Sequence, residues 1–131
     1  MLLLAVALVA QAPANPRPAV EAMFAAFNRH DPAAMAELSA PDARLTSPDF
    51  CKPRTGADVA RTYRALFDQF PDMIDTVETM VVEGDRVAVR FTARSARSGV
   101  TLPIHSFLRV EGGRIVEDDS LFDTGGRPCS D

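Results

Sequence analysis

Few residues in this chain are equipped for chemistry, and they are scattered. Two histidines (His30 and His105), two cysteines (Cys51 and Cys129) and a single tyrosine (Tyr63) stand among 18 acidic residues. The histidines lie far apart on elements that face differently, and with the dispersed carboxylates they make no metal-ligand spacing. No Gly-x-Ser-x-Gly elbow supports a serine nucleophile. The glycines form no phosphate-cradling loop. What remains is acid/base work by a carboxyl group, with Glu117-Asp118-Asp119 offering three in a row. Serines such as Ser47, Ser106 and Ser120 can add hydrogen bonds to a ligand. Nothing in this set calls for a cofactor or a metal.

The elements that must position such groups fit one domain. The chain has 131 residues, 47% of them hydrophobic, and a net charge of −4. That length supports a small core. The mild acidity leaves no basic face for nucleic acid, and no basic amphipathic helix suits a membrane surface. Residues Leu2 to Ala10 are uninterruptedly apolar and lead to Ala10-Gln11-Ala12 and Pro13. This predicts a signal peptide over 1–12, cleaved after Ala12, although no Lys or Arg precedes the run. The run is too short to cross a bilayer, which takes roughly 20 residues, so no membrane insertion is expected after cleavage. A linker (13–18), a folded domain (19–124) and a C-terminal tail (125–131) follow. Cys51 and Cys129 suit an oxidising compartment, secreted or periplasmic. They could form a disulfide tying the tail to a loop, or stay as free thiols.

Val20, Met23, Phe24 and Phe27 recur at helical spacing and predict a first helix ended by Asn28-Arg29-His30. A cation such as His30 suits that end structurally. Asp31-Pro32 is an N-cap and first-turn proline opening a short helix with Met35 and Leu38 inward, stopped by Pro41. Ala43 to Ser47 reads as a short strand. Thr55 to Asp58 has capping-box spacing and opens a third helix with Val59, Tyr63, Leu66, Phe67 and Phe70 on one face. Strands are expected over 74–82, 86–95, 102–110 and 114–123, joined by glycine turns into antiparallel hairpins. Helices followed by a strand meander predict an α+β fold with a sheet of four or five strands.

Phe27-Asn28-Arg29-His30-Asp31-Pro32, Pro71-Asp72, Val82 to Arg90, Gly112 to Glu117 and Phe122-Asp123 together resemble the SnoaL-like branch of the nuclear-transport-factor-2-like superfamily. The resemblance spans about residues 18 to 124 and is specific for fold. It implies a curved antiparallel sheet wrapped around N-terminal helices, forming a cone-shaped pocket, and often a homodimer through the convex sheet face. It is weak for reaction, because the fold hosts many chemistries. Where ketosteroid isomerases of this superfamily carry their Asp, Tyr and second Asp, this chain has Ser47, Met23 and Ser106. Where limonene-type epoxide hydrolases carry an Arg and two Asp, it has Phe91, Ala93 and Ser120. Neither chemistry is expected.

The register implied by the resemblance points Val87, Val89, Phe91 and Ala93 inward from one strand, and Ile104, Ser106 and Leu108 from the next. The last strand turns Val116, Asp118, Ser120 and Phe122 inward. Asp118 is the one ionisable residue of this set. Burial would raise its pKa into a range useful for proton transfer. A slip of one residue would instead turn Asp119 inward. Met23, Phe27, Ser47, Tyr63, Phe91, Ser106, Ser120 and Phe122 are the candidate ligand contacts, Tyr63 serving as core packing or as a hydroxyl at the pocket mouth. His105 falls on the convex side, within reach of Glu117 or Asp119. Three functions follow. One is an exported protein that binds a small apolar or amphipathic molecule in a conical pocket without turning it over. Another is an acid/base cyclase or isomerase using Asp118 on a ketone-like substrate. The third is a homodimeric interaction module with a vestigial pocket, whose face carries Arg90, Arg94, His105 and Phe107.

Overall fold

The computed structural model describes residues 14–131. The expected signal peptide and its cleavage site lie outside the described residues. Helix α1 (Arg17–Asn28) starts one residue before Pro18. Proline is tolerated there because a first-turn N–H has no partner to lose. Helix α2 (Pro32–Glu37) is capped by Asp31, whose carboxylate accepts from the Ala34 N–H at 3.0 Å. A capping box at Thr55 and Asp58 opens a 3₁₀ turn (Gly56–Asp58) that runs into α3 (Val59–Gln69). Gly56 is required here: a Cβ would meet the Ala40 carbonyl oxygen at 1.7 Å, so the turn can lie directly on the strand beneath it.

The strands are β1 (Ser39–Thr46), β2 (Arg54–Thr55), β3 (Ile74–Glu83), β4 (Arg86–Ser95), β5 (Val100–Glu111) and β6 (Arg114–Leu121). They form one six-stranded sheet in the order β2-β1-β6-β5-β4-β3. This confirms the α+β class and corrects the strand count and one pairing. β1 lies parallel to β6, a long-range contact that no hairpin signal announces. β1 also begins earlier than expected. Pro41 does not stop α2, which ends at Glu37; it sits exposed inside β1. There the register against β6 shifts between Ser39 and Arg44, and an irregular edge can hold a residue that lacks an N–H.

Two further irregularities decide which side chains face the helices. On β3 the register against β4 shifts between Val77 and Thr79. On β6 it shifts against β5 between Arg109 and Val110. The second shift buries Ile115, at 1% exposure, and leaves Val116 only half-buried, which corrects the inward assignment of Val116. Beyond the shift Asp118 stands opposite Leu108 and Ser120 opposite Ser106. Asp118 therefore shares the inner face. Asp119 is exposed and accepts a hydrogen bond from the Thr46 hydroxyl at 2.6 Å.

The core lies between the inner sheet face and the helices. Val20, Ala26, Met35, Val59, Val87 and Ile115 are almost fully buried. His30 stitches α1 to the start of β3. Its ring stacks on Phe67 at 4.2 Å, and its Nε2 contacts the Met73 carbonyl at 2.6 Å. Cys51 and Cys129 form a disulfide. Around it, Phe50 bridges Ser130, and the Arg127 guanidinium pairs with Asp49 at 3.0 Å, so the tail is fastened along the loop after β1.

Candidate functional site

The inner faces of β3 to β6 meet α1 and α3 around a cavity of about 40 Å³. Its wall is Met23, Phe24, Phe27, Met35, Tyr63, Asp75, Phe91, Ser106, Leu108, Asp118 and Ser120. The aromatic side is rigidly packed. Phe24 meets Phe91 edge-on at 4.9 Å, and Phe27 meets Tyr63 and Phe67 edge-on at 5.8 and 5.0 Å. Such geometry suits ring quadrupoles and holds each ring in one orientation.

Opposite the rings is a hydroxyl chain. Ser106 Oγ and Ser120 Oγ are 2.6 Å apart, and Ser120 Oγ donates to Asp118 Oδ1 at 3.2 Å. A serine hydroxyl has one proton. With that proton committed to Asp118, Ser120 accepts from Ser106, which orders the chain toward the carboxylate. Burial pushes the Asp118 carboxyl up to about 6; the Ser120 hydrogen bond pulls the other way and the neighbouring Asp119 charge adds to the rise. No arginine or lysine stands on the cavity wall.

A second carboxyl, absent from the residues expected from sequence, stands on the same wall. Asp75 is the only residue of β3 that is fully buried, at 8% exposure. Its backbone is held from both sides by Asn28 at the end of α1. The Asp75 N–H donates to Asn28 Oδ1 at 2.8 Å, and Asn28 Nδ2 donates to the Asp75 carbonyl at 2.9 Å. Its side chain has no such support: Oδ1 is the one buried side-chain polar atom among the described residues with no hydrogen-bond partner. Burial alone pushes this carboxyl up to about 7. Tyr63 lies within electrostatic reach of both acids. Its phenol is raised above its ordinary value, first by burial and then by the charges of Asp118 and Asp75.

Met23, Phe27, Tyr63, Phe91, Ser106, Asp118 and Ser120 of the sequence-derived set are thus brought to one cavity. Ser47 and Phe122 are not. Ser47 follows the last residue of β1, and its hydroxyl turns back to accept from the Asp49 N–H at 3.2 Å. Phe122 lies past the end of β6, where pairing has stopped, and packs half-buried on the core instead. His105 is also corrected. Its cross-strand neighbours are Arg90 and Leu121, while Glu117 is taken up by arginines. The shift after Val77 breaks the alternation of this strand, so its pattern assigns Asp75 no face. Among the described residues no group of three or more His, Cys, Asp or Glu could hold a metal ion.

The fold and sequence have relatives. IdmH from Streptomyces antibioticus, a candidate polyketide cyclase, is 30% identical with a TM-score of 0.75, over 84% of this chain and 93% of that one. AclR from Streptomyces galilaeus, a candidate hydroxylase, is 25% identical with a TM-score of 0.71, over 82% and 78%. An NTF2-like protein of unknown function from Burkholderia pseudomallei is 27% identical with a TM-score of 0.73, over 86% and 93%. No curated protein matches the sequence. The family model of the SnoaL-like domain matches residues 20–118. Together with the curved open sheet and its covering helices, that match assigns the chain to the SnoaL-like family of the NTF2-like superfamily.

Proposed function

We propose that this protein is an exported SnoaL-like enzyme that moves a proton on a small, neutral, ketone-like molecule, with Asp118 carrying the proton. The observation behind this reading is the Asp118 carboxyl, raised to about 6, in an aromatic cavity with no cation on its wall. Such a group exchanges protons near neutral pH. The absence of a cation favours a neutral substrate over an anionic one. The cavity has room for the carbonyl end of a molecule, with the remainder at its mouth; sites for drug-sized ligands run to about 300–1,000 Å³. Kinship with a candidate polyketide cyclase supports carbonyl chemistry. The disulfide supports export to a secreted or periplasmic setting, and no helix among the described residues is long and apolar enough to cross a membrane.

The test is exchange of the α-hydrogens of butanone with D₂O, followed by proton NMR. The native protein should accelerate exchange, and Asp118→Asn should lower the rate by about 10²-fold or more. Retention of a small molecule with no exchange would favour the second reading, a binding protein without turnover, to which the apolar wall of Met23, Met35 and Leu108 also lends itself. We further propose that the convex face serves as the homodimer contact. Val81, Phe107 and Leu121 are each more than half exposed there, an apolar surface that suits association. Sedimentation of native protein against Phe107→Glu tests this; identical monomeric profiles would refute it.

A further inference from the structure

The proton chemistry assigned to Asp118 leaves Asp75 unused, and Asp75 is the stranger of the two. A buried carboxyl without a hydrogen-bond partner costs stability. Its cross-strand partner is the buried Ala93, so a small apolar side chain would fit the surroundings. The Asp75 Oδ1 atom has no hydrogen-bond partner, and the Asn28 clamp grips only its backbone. The clamp fixes where the carboxyl stands while leaving it free toward the cavity, on whose wall it lies with Tyr63 and Asp118. The titratable groups that face this space are Tyr63 from α3 and Asp118 from β6; His30 is occupied by the Met73 carbonyl and the Phe67 ring.

We propose that Asp75 is the second catalytic residue of the pocket, giving its proton to the carbonyl oxygen of a neutral ketone while Asp118 takes one from the adjacent carbon. This rests on the functional reading above. In the step, the Asp118 carboxylate removes the α-hydrogen, and the C–H electron pair becomes the carbon–carbon π bond of the enol. The carbonyl π electrons take the proton from Asp75. Asp118 leaves the step neutral and Asp75 ionised. Return of a proton to carbon from Asp118, with recovery of the oxygen proton by Asp75, closes the cycle with no net change in the enzyme. The hydrogen bonds of the two acids set this division of labour. The Ser120 hydroxyl donates to Asp118 and supports its carboxylate as the base, while Asp75 Oδ1 receives no hydrogen bond, so this buried carboxyl keeps its proton and serves as acid.

The butanone exchange assay carries the test, with Asp75→Asn and Asp75→Val beside Asp118→Asn. The native rate should rise with pH as Asp118 ionises and fall again as Asp75 does, a bell centred between 6 and 7. Asp75→Val should lose about 10²-fold. Asp75→Asn, nearly isosteric and still a hydrogen-bond donor, should keep part of the rate and lose the falling limb, which a purely structural role would not alter. Exchange that depends on Asp118 but keeps its rate and falling limb in both Asp75 variants would overturn this proposal and leave the functional reading standing. No exchange by the native protein above buffer would overturn both.

Discussion

Glu117 and Asp118 are neighbours on one strand, and their carboxyls meet opposite fates. Glu117 points to the convex face, where Arg109 reaches it through Nη2 and Nε at 3.3 Å each and Arg86 approaches at 3.6 Å. The Arg109 hydrogen bond chiefly holds Glu117 below the ordinary carboxylate range. Asp118 points the other way, meets only a hydroxyl, and is pushed up by burial. The same contrast separates Glu78, which pairs with Arg90 at 3.1 Å and accepts from Thr92 at 2.6 Å, from Asp75 three residues earlier on the same strand. One face of the sheet pairs its charges and the other strands them. Arg86, Arg90 and Arg94 stand on β4 and Arg109 on β5, yet none is on the cavity wall. That asymmetry is what a site, rather than a scaffold, requires.

The largest expected difference between the two faces is in the pH dependence of stability. Asp75 and Asp118 both bind a proton more tightly in the folded chain than in the unfolded one, where an aspartate titrates near 3.8. Their contribution is fully present below that value and is lost as pH rises through about 6 and about 7. The native protein should therefore be less stable at pH 8 than at pH 4.5. For Asp75 the span amounts to on the order of 4 kcal/mol. Asp75→Asn should flatten most of this slope and raise stability at pH 8. Urea unfolding at the two pH values measures it. An unchanged slope in Asp75→Asn would mean that Asp75 is ionised in the fold, and the two faces would then not differ as described.

Replacing the disulfide separates stability from the pocket. Cys51 and Cys129 close a loop of 78 residues in sequence separation, and opening it to Cys51→Ser/Cys129→Ser should cost about 2–4 kcal/mol. The bridge lies in the strap along the loop after β1, not on the cavity wall. The double variant should thus unfold at lower urea yet keep the same pH slope and the same butanone exchange below its transition. A lost slope would show that the strap shapes the pocket.

Much of this arrangement was legible in the sequence because local patterns carry it. Helical spacing from Val20 to Phe27 and clean alternation from Val87 to Ala93 set the two surfaces that enclose the cavity. Asp31-Pro32 and Thr55-x-x-Asp58 marked helix starts that the structure reproduces as caps. What stayed hidden depends on pairing between distant strands. The parallel β1–β6 contact has no local signature, so nothing in the local pattern shows that β1 begins at Ser39 and holds Pro41 inside it. The bulges in β3 and β6 each change the face of every later residue. For Asp118 the resemblance supplied the register. For Asp75 nothing in the chain did, and a lone aspartate in a strand looks like an ordinary solvent-facing residue until its partner strand is known.

The smallest expected effect comes from the paired face itself, and it completes the contrast. Glu117 is exposed and linked to Arg109 and Arg86, and ion pairs of this kind contribute little in water. Its lowered pKa gives a contribution present above the ordinary glutamate value and lost as pH falls through the folded one, opposite in sign to that of its neighbour. Glu117→Gln should therefore reduce stability slightly at neutral pH, and 1 M salt should erase the difference, since the Debye length there is about 3 Å. Butanone exchange should be unchanged, because the side chain never reaches the cavity. A loss of exchange in Glu117→Gln comparable to that in Asp118→Asn would mean that the strand transmits charge between its faces, and the pocket could no longer be treated as insulated from the sheet's outer surface.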